Sequence, residues 1–136
     1  MLSLGNNIVS SSSVSRELIV NGSFSIASGA GVGWTANGGA TTTGGVGFLN
    51  DDPGSSLTQS ILTIGKVYNY SLIAKSPDPF GNLKISDDAG AHVTISNVPA
   101  TFTEYTGSFT AGHALLILHE SSSGDITIDN VSITEA

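Results

Sequence analysis

The stretch Gly124-Asp125-Ile126-Thr127-Ile128-Asp129-Asn130-Val131-Ser132-Ile133 decides the fold through the parity of its aliphatic residues. Side chains along a strand alternate between faces, so Ile126 and Ile128 point one way while Val131 and Ile133, at odd positions, would point the other. One extra residue near Asp129-Asn130, a β-bulge, returns all four to a single core. The segment is therefore predicted to be a strand broken by a bulge.

Working outward, the same alternation recurs over 66–75. Tyr68, Tyr70, Leu72 and Ala74 share one face and Val67, Asn69, Ser71 and Ile73 the other, until Pro77 and Pro79 end the strand. Leu18 and Val20 precede an Asn21-Gly22 turn signal, followed by Phe24 and Ile26. Leu57 to Ile61 reads as a short strand. Leu83 and Ile85 start another, closed by an Asp87-Asp88-Ala89-Gly90 turn, with Val93 and Ile95 beyond it. Tyr105, Gly107 and Phe109 alternate towards a core, and Leu115 to Leu118 is a continuous apolar run, read as a strand buried on both sides. Residues 29–47 are glycine-rich, with Trp34 the only large anchor. Roughly eight or nine short strands with frequent turn signals fit a two-sheet antiparallel β-sandwich over residues 17–136.

The composition agrees. The 136 residues suffice for one domain. Seventeen glycines and abundant Ser and Thr suit strands and turns rather than helices. The absence of cysteine excludes a disulfide framework, a thiolate zinc site and a cysteine nucleophile. Four Lys and Arg (Arg16, Lys66, Lys75 and Lys84) against eleven Asp and Glu give a net charge of −7, too few cations to assemble a surface for nucleic-acid phosphates. No apolar stretch approaches the ~18 residues of a membrane span. The opening residues lack a basic and an apolar signal region, so a non-secreted chain is expected.

Residues 1–16 read differently. Leu2, Leu4, Ile8 and Val9 precede the run Ser10 to Ser13, an apolar tip on a flexible connection. Four aliphatic side chains, each worth roughly 1.5–3 kcal/mol when buried, would gain by docking on another subunit, so this segment is expected to be an extended anchoring arm.

Catalytic chemistry leaves little trace. His119-Glu120 begins an H-E-x-x-H pattern, but position 123 is serine. No G-x-S-x-G elbow is present, and no catalytic residue is assigned. The Asp51-Asp52-Pro53-Gly54 and Asp87-Asp88-Ala89-Gly90 segments lack calcium-loop spacing and read as turns. Sugar binding calls for exposed aromatic platforms; Tyr68, Tyr70, Tyr105 and Phe109 fall on core faces, leaving Phe48, Phe80 and Phe102.

Three segments together carry a resemblance. They are Glu17 to Phe24 with the later Gly33-Trp34, Leu57 to Ile61 with Gly65-Lys66-Val67-Tyr68, and Gly124 to Ile133. The chain resembles the galactose-binding-domain-like jelly rolls, especially carbohydrate-binding modules of the xylanase and cellulase type. That resemblance implies a jelly roll, a glycan as a partner, and a structural calcium beside Asn21 and Asp129, with Ser25 where an acidic residue is usual. Such domains also occur in structural proteins of tailed bacteriophages, and Met1-Leu2-Ser3-Leu4-Gly5-Asn6 with its Ser-rich link resembles the start of short phage head and tail proteins. The function this implies is a virion structural protein, foremost a capsid decoration (cement) protein. It would be made in the host cytoplasm and bound through its arm to the major capsid protein or other virion subunits. A trimer would match the threefold positions of a capsid lattice. The alternative is a carbohydrate-binding module, or a tail or fibre component recognising a host surface glycan.

Overall fold

The structure, a computed structural model, describes residues 16–25, 33–52, 54–78, 81–121 and 124–136. The arm residues Leu2, Leu4, Ile8 and Val9 lie outside them, as do Ile26 and Phe80.

Nine strands run through the described residues: β1 (Thr35–Asn37), β2 (Gly47–Leu49), β3 (Ser56–Ser60), β4 (Val67–Lys75), β5 (Leu83–Asp87), β6 (Gly90–Ile95), β7 (Thr103–Thr110), β8 (Leu115–Glu120) and β9 (Ile126–Glu135). They form a five-stranded sheet in the order β1-β3-β8-β5-β6 and a four-stranded sheet in the order β2-β9-β4-β7. Every pairing is antiparallel. The result is an all-β jelly-roll sandwich.

The core lies where the alternation places it. Tyr68, Tyr70, Leu72 and Ala74 are buried on β4, while Leu83, Ile85, Leu116 and Leu118 face them from the other sheet. The bulge in β9 is present: Ser71 pairs with Ser132 but Ile73 pairs with Asp129, so β9 spends one more residue than β4. Asn130 absorbs it at φ 51°, and Ile126, Ile128, Val131 and Ile133 are all buried. Gly47 marks a close approach between layers, since a Cβ there would stand 2.7 Å from the Phe24 ring and 2.8 Å from Leu57.

The run Leu115–Leu118 differs from its expected burial. Leu116 and Leu118 are fully buried, but Leu115 and Ile117 are only half-buried. They lie on the outer face of the sheet, on the strand between β3 and β5.

Polar side chains fasten the N-terminal segment. Buried Gln59 donates from Nε2 to the Val20 carbonyl at 2.7 Å and accepts from Val20 N–H at 3.1 Å. Glu17 accepts from the N–H groups of Ile19 and Ile133, both at 2.9 Å.

Candidate functional site

The register sorts the outward side chains of the five-stranded sheet into rows. Asn37, Ser56, His119, Lys84 and Thr94 line up across β1, β3, β8, β5 and β6. Thr35, Thr58, Ile117, Ser86 and Ala91 form the adjacent row. Between the rows lies an open groove of about 430 Å³, lined by Ser56, Lys84, Ser86, Ala91, Ile117 and His119, and at its ends by Gly54, Ser55, Asp87 and Gly90.

The residues of β5 and β8 reach this face because their strand neighbours are claimed by the core. Leu83 and Ile85 point inward, which turns Lys84 and Ser86 outward; Leu116 and Leu118 do the same for Ile117 and His119. His119 Nε2 and Ser86 Oγ share a hydrogen bond of 2.9 Å. Burial holds the His119 pKa below the ordinary histidine value, and the charge of Lys84 adds to this against the opposing influence of the Glu120 backbone and carboxylate. The imidazole is therefore neutral at pH 7, with one donor and one acceptor nitrogen.

Asp87 borders the groove but turns its carboxylate the other way, where its side chain has no solvent exposure. Oδ1 accepts from Ala89 N–H at 2.7 Å. Oδ2 accepts from Gly112 N–H at 2.7 Å, His113 N–H at 3.0 Å and His92 Nε2–H at 2.7 Å. Burial acts to raise its pKa, but the His92 bond and the three backbone donors outweigh it and hold the carboxyl at about 2. This residue ties the β5–β6 hairpin to the β7–β8 loop and so fixes one wall of the groove.

The aromatic residues are elsewhere. Trp34 is buried, stacked on Phe24 with centroids 5.4 Å apart, and donates from Nε1 to the Asn21 carbonyl at 3.0 Å. Tyr68, Tyr70 and Phe109 are buried as expected. Exposed Phe102 lies under Lys75 Nζ at 4.8 Å, and half-buried Phe48 sits in β2, both on the side of the four-stranded sheet.

The residues singled out for calcium are brought onto touching segments. Gly22 O accepts from Val131 N–H at 2.9 Å, which seats the Asn21-Gly22 turn on the bulge after Asp129. Asp129 Oδ1 accepts from Asn130 N–H at 2.7 Å, and Ser25 shares a hydroxyl bond with Ser23 at 3.0 Å. Asn21 and Asp129 would supply two side-chain oxygens of the roughly six to eight that calcium takes, and no group of three or more acidic, His or Cys side chains gathers among the described residues.

Lys84, Ser86, Ala91 and Ile117 were not singled out from the sequence. For Lys84, Ser86 and Ile117 the available signal was parity, since each is out of phase with a neighbouring core aliphatic. Ala91 shares the parity of Val93 and Ile95 and reaches the groove through the register shift between Ile85 and Ser86. Parity does not say which outward residues of distant strands meet.

No family model matches the chain, and no curated protein sequence matches it. Solved structures do. A CBM4 module superposes with a TM-score of 0.59 at 20% identity, over 87% of this chain and 99% of that one. The CBM22-1 xylan-binding domain of Paenibacillus barcinonensis Xyn10C gives 0.62 at 16% identity, over 90% and 96%. The enzymatically active domain of bacteriophage CBA120 tailspike protein 4 gives 0.52 at 22% identity, over 88% of this chain and 21% of that one. The fold is that of the carbohydrate-binding-module jelly rolls.

Proposed function

We propose that the chain is a carbohydrate-binding module whose glycan lies across the outer face of the five-stranded sheet. The observation that carries this reading is the groove itself: hydroxyl, imidazole and ammonium groups converge on an apolar floor of half-buried Ile117 and exposed Ala91. Strands about 4.8 Å apart space such groups on the scale of one sugar ring, suiting an extended chain laid across them. The fold shared with carbohydrate-binding modules supports the same assignment. Among the described residues the groove holds no Trp, Tyr or Phe. Affinity therefore rests on hydrogen bonds, each worth on the order of 1 kcal/mol, and dissociation constants near 1 mM per site are expected.

The test is amide-shift mapping by NMR during titration with oligosaccharides from neutral and acidic polysaccharides. Shifts should centre on Ser86, Ala91, Ile117 and His119, and His119→Ala should weaken binding about three- to tenfold, the worth of one hydrogen bond, without loss of fold. Shifts confined to other surfaces, or no binding to any glycan, would overturn the proposal.

A second reading, a virion structural protein gripping its neighbours through Leu2, Leu4, Ile8 and Val9, is favoured by the tailspike domain that shares this fold. Deleting residues 1–16 is then expected to leave the sandwich folded and abolish occupancy on purified particles. Unchanged occupancy would refute the anchoring role.

A further inference from the structure

Charge is distributed unevenly over the sandwich. The chain carries eleven Asp and Glu, yet among the described residues no carboxylate projects from the outer face of the five-stranded sheet. That sheet contains two acidic residues, Asp87 and Glu120, and both are buried. Asp52, on the loop leading to the groove, directs Oδ1 to Gly54 N–H of its own loop at 3.0 Å. Against this background Lys84 stands beside His119 in one of the two rows that flank the groove. It makes no ion pair among the described residues, whereas Lys66 is bound to Glu135 at 2.8 Å and Lys75 lies over Phe102. His119, beside it in the row, is uncharged at neutral pH.

We infer that the groove selects an anionic polysaccharide, with Lys84 contacting the charged substituent of a sugar whose hydroxyls bond Ser86, His119 and Ser56. This rests on the carbohydrate-binding reading and specifies its ligand class. A net charge of −7 opposes an acidic polymer at long range, but exposed charges are screened beyond about 8 Å at physiological salt. An ammonium in contact, on a face cleared of carboxylates, outweighs them locally. An ammonium is a point charge and accepts a uronate carboxylate or a sulfate ester alike.

Affinity electrophoresis of the full chain through polygalacturonate, alginate and hyaluronan, each beside its carboxyl-reduced counterpart, and through carrageenan as a sulfated polymer without uronate, tests this. At least one anionic polymer should retard the protein. Carboxyl reduction and Lys84→Gln should each weaken binding about tenfold, the worth of one charge-assisted hydrogen bond. Lys84→Arg should keep it within about threefold of the original, because the charge is retained. Retardation by carrageenan alone would support the inference with sulfate as the bound group. Equal binding of carboxyl-reduced and native polymers, or of Lys84→Gln and the original chain, would overturn the anionic class while leaving the carbohydrate-binding reading intact. Binding to no polysaccharide, neutral or charged, would overturn both. Thermal melting of each variant controls for folding.

Discussion

Replacing Asp87 by alanine is expected to cost about 3–5 kcal/mol of folding stability, because several buried donors lose their acceptor at once, and to lower the melting temperature by roughly 10–15 °C. The carboxylate has no solvent exposure and satisfies four donors drawn from two loops: Ala89 and His92 in the hairpin, and Gly112 and His113 beyond β7. Alanine leaves all of them without an acceptor. Asparagine should cost less, about 1–3 kcal/mol, because its carbonyl can take the Oδ2 position, where three donors converge. Its amide nitrogen then faces only Ala89 N–H.

The same carboxylate imposes a pH dependence of known sign. Its folded-state pKa, about 2, lies below the ordinary value of 3.8. A depressed carboxyl pKa means stability that is fully present above about pH 4 and is lost as the pH falls towards 2, worth roughly 2 kcal/mol in total. Neither Asp87→Ala nor Asp87→Asn retains this dependence, so the stability gap to the original chain should narrow between pH 4 and pH 2. Denaturation followed by circular dichroism across that interval measures it. A gap that stays constant down to pH 2 would show that the carboxylate is not stabilised as described.

What the sequence revealed followed the range of the interactions concerned. β4 and the β9 bulge were legible because period-two alternation is a local property, and so were the turns at Asn21-Gly22 and Asp87 to Gly90. Asp87 read as a turn residue, and its bond to Ala89 N–H fits that reading; its bonds to Gly112 and His113 span 25 and 26 residues and left no local trace. Gln59 is similar, since its partner Val20 is 39 residues away. The groove was hidden for a topological reason. Its walls come from β3, β8, β5 and β6, an order unrelated to their order in the chain. The run Leu115 to Leu118 concealed the central strand of the groove by a different route. Ile117 is apolar although it faces outward, so the alternation that would have exposed a surface strand is absent.

The parity of β9 supplies the second large effect. Deleting Asn130 is expected to unfold the domain or remove most of its stability, whereas Asn130→Gly should remain within about 1 kcal/mol of the original chain, since glycine adopts the left-handed region freely. At φ 51° asparagine is among the few side-chain-bearing residues that sit there readily, and Asn130→Val should cost roughly 1–2 kcal/mol. Without the extra residue, Val131 and Ile133, only 5% and 1% exposed, turn towards solvent if β9 keeps its pairing through Asp129. Losing two such side chains from the core costs roughly 3–6 kcal/mol. The slip also removes Val131 N–H from Gly22 O and separates Ile133 from both Leu18 N–H and Glu17. Domains of this size are stable by only about 5–15 kcal/mol, so the sum is comparable to the whole. Urea denaturation of the deletion beside the two substitutions separates the register effect from the backbone effect. A deletion variant that unfolds at the midpoint of Asn130→Gly would mean that the strand can re-register without exposing its aliphatic residues, and that the bulge is not what unites the two halves of β9 over one core.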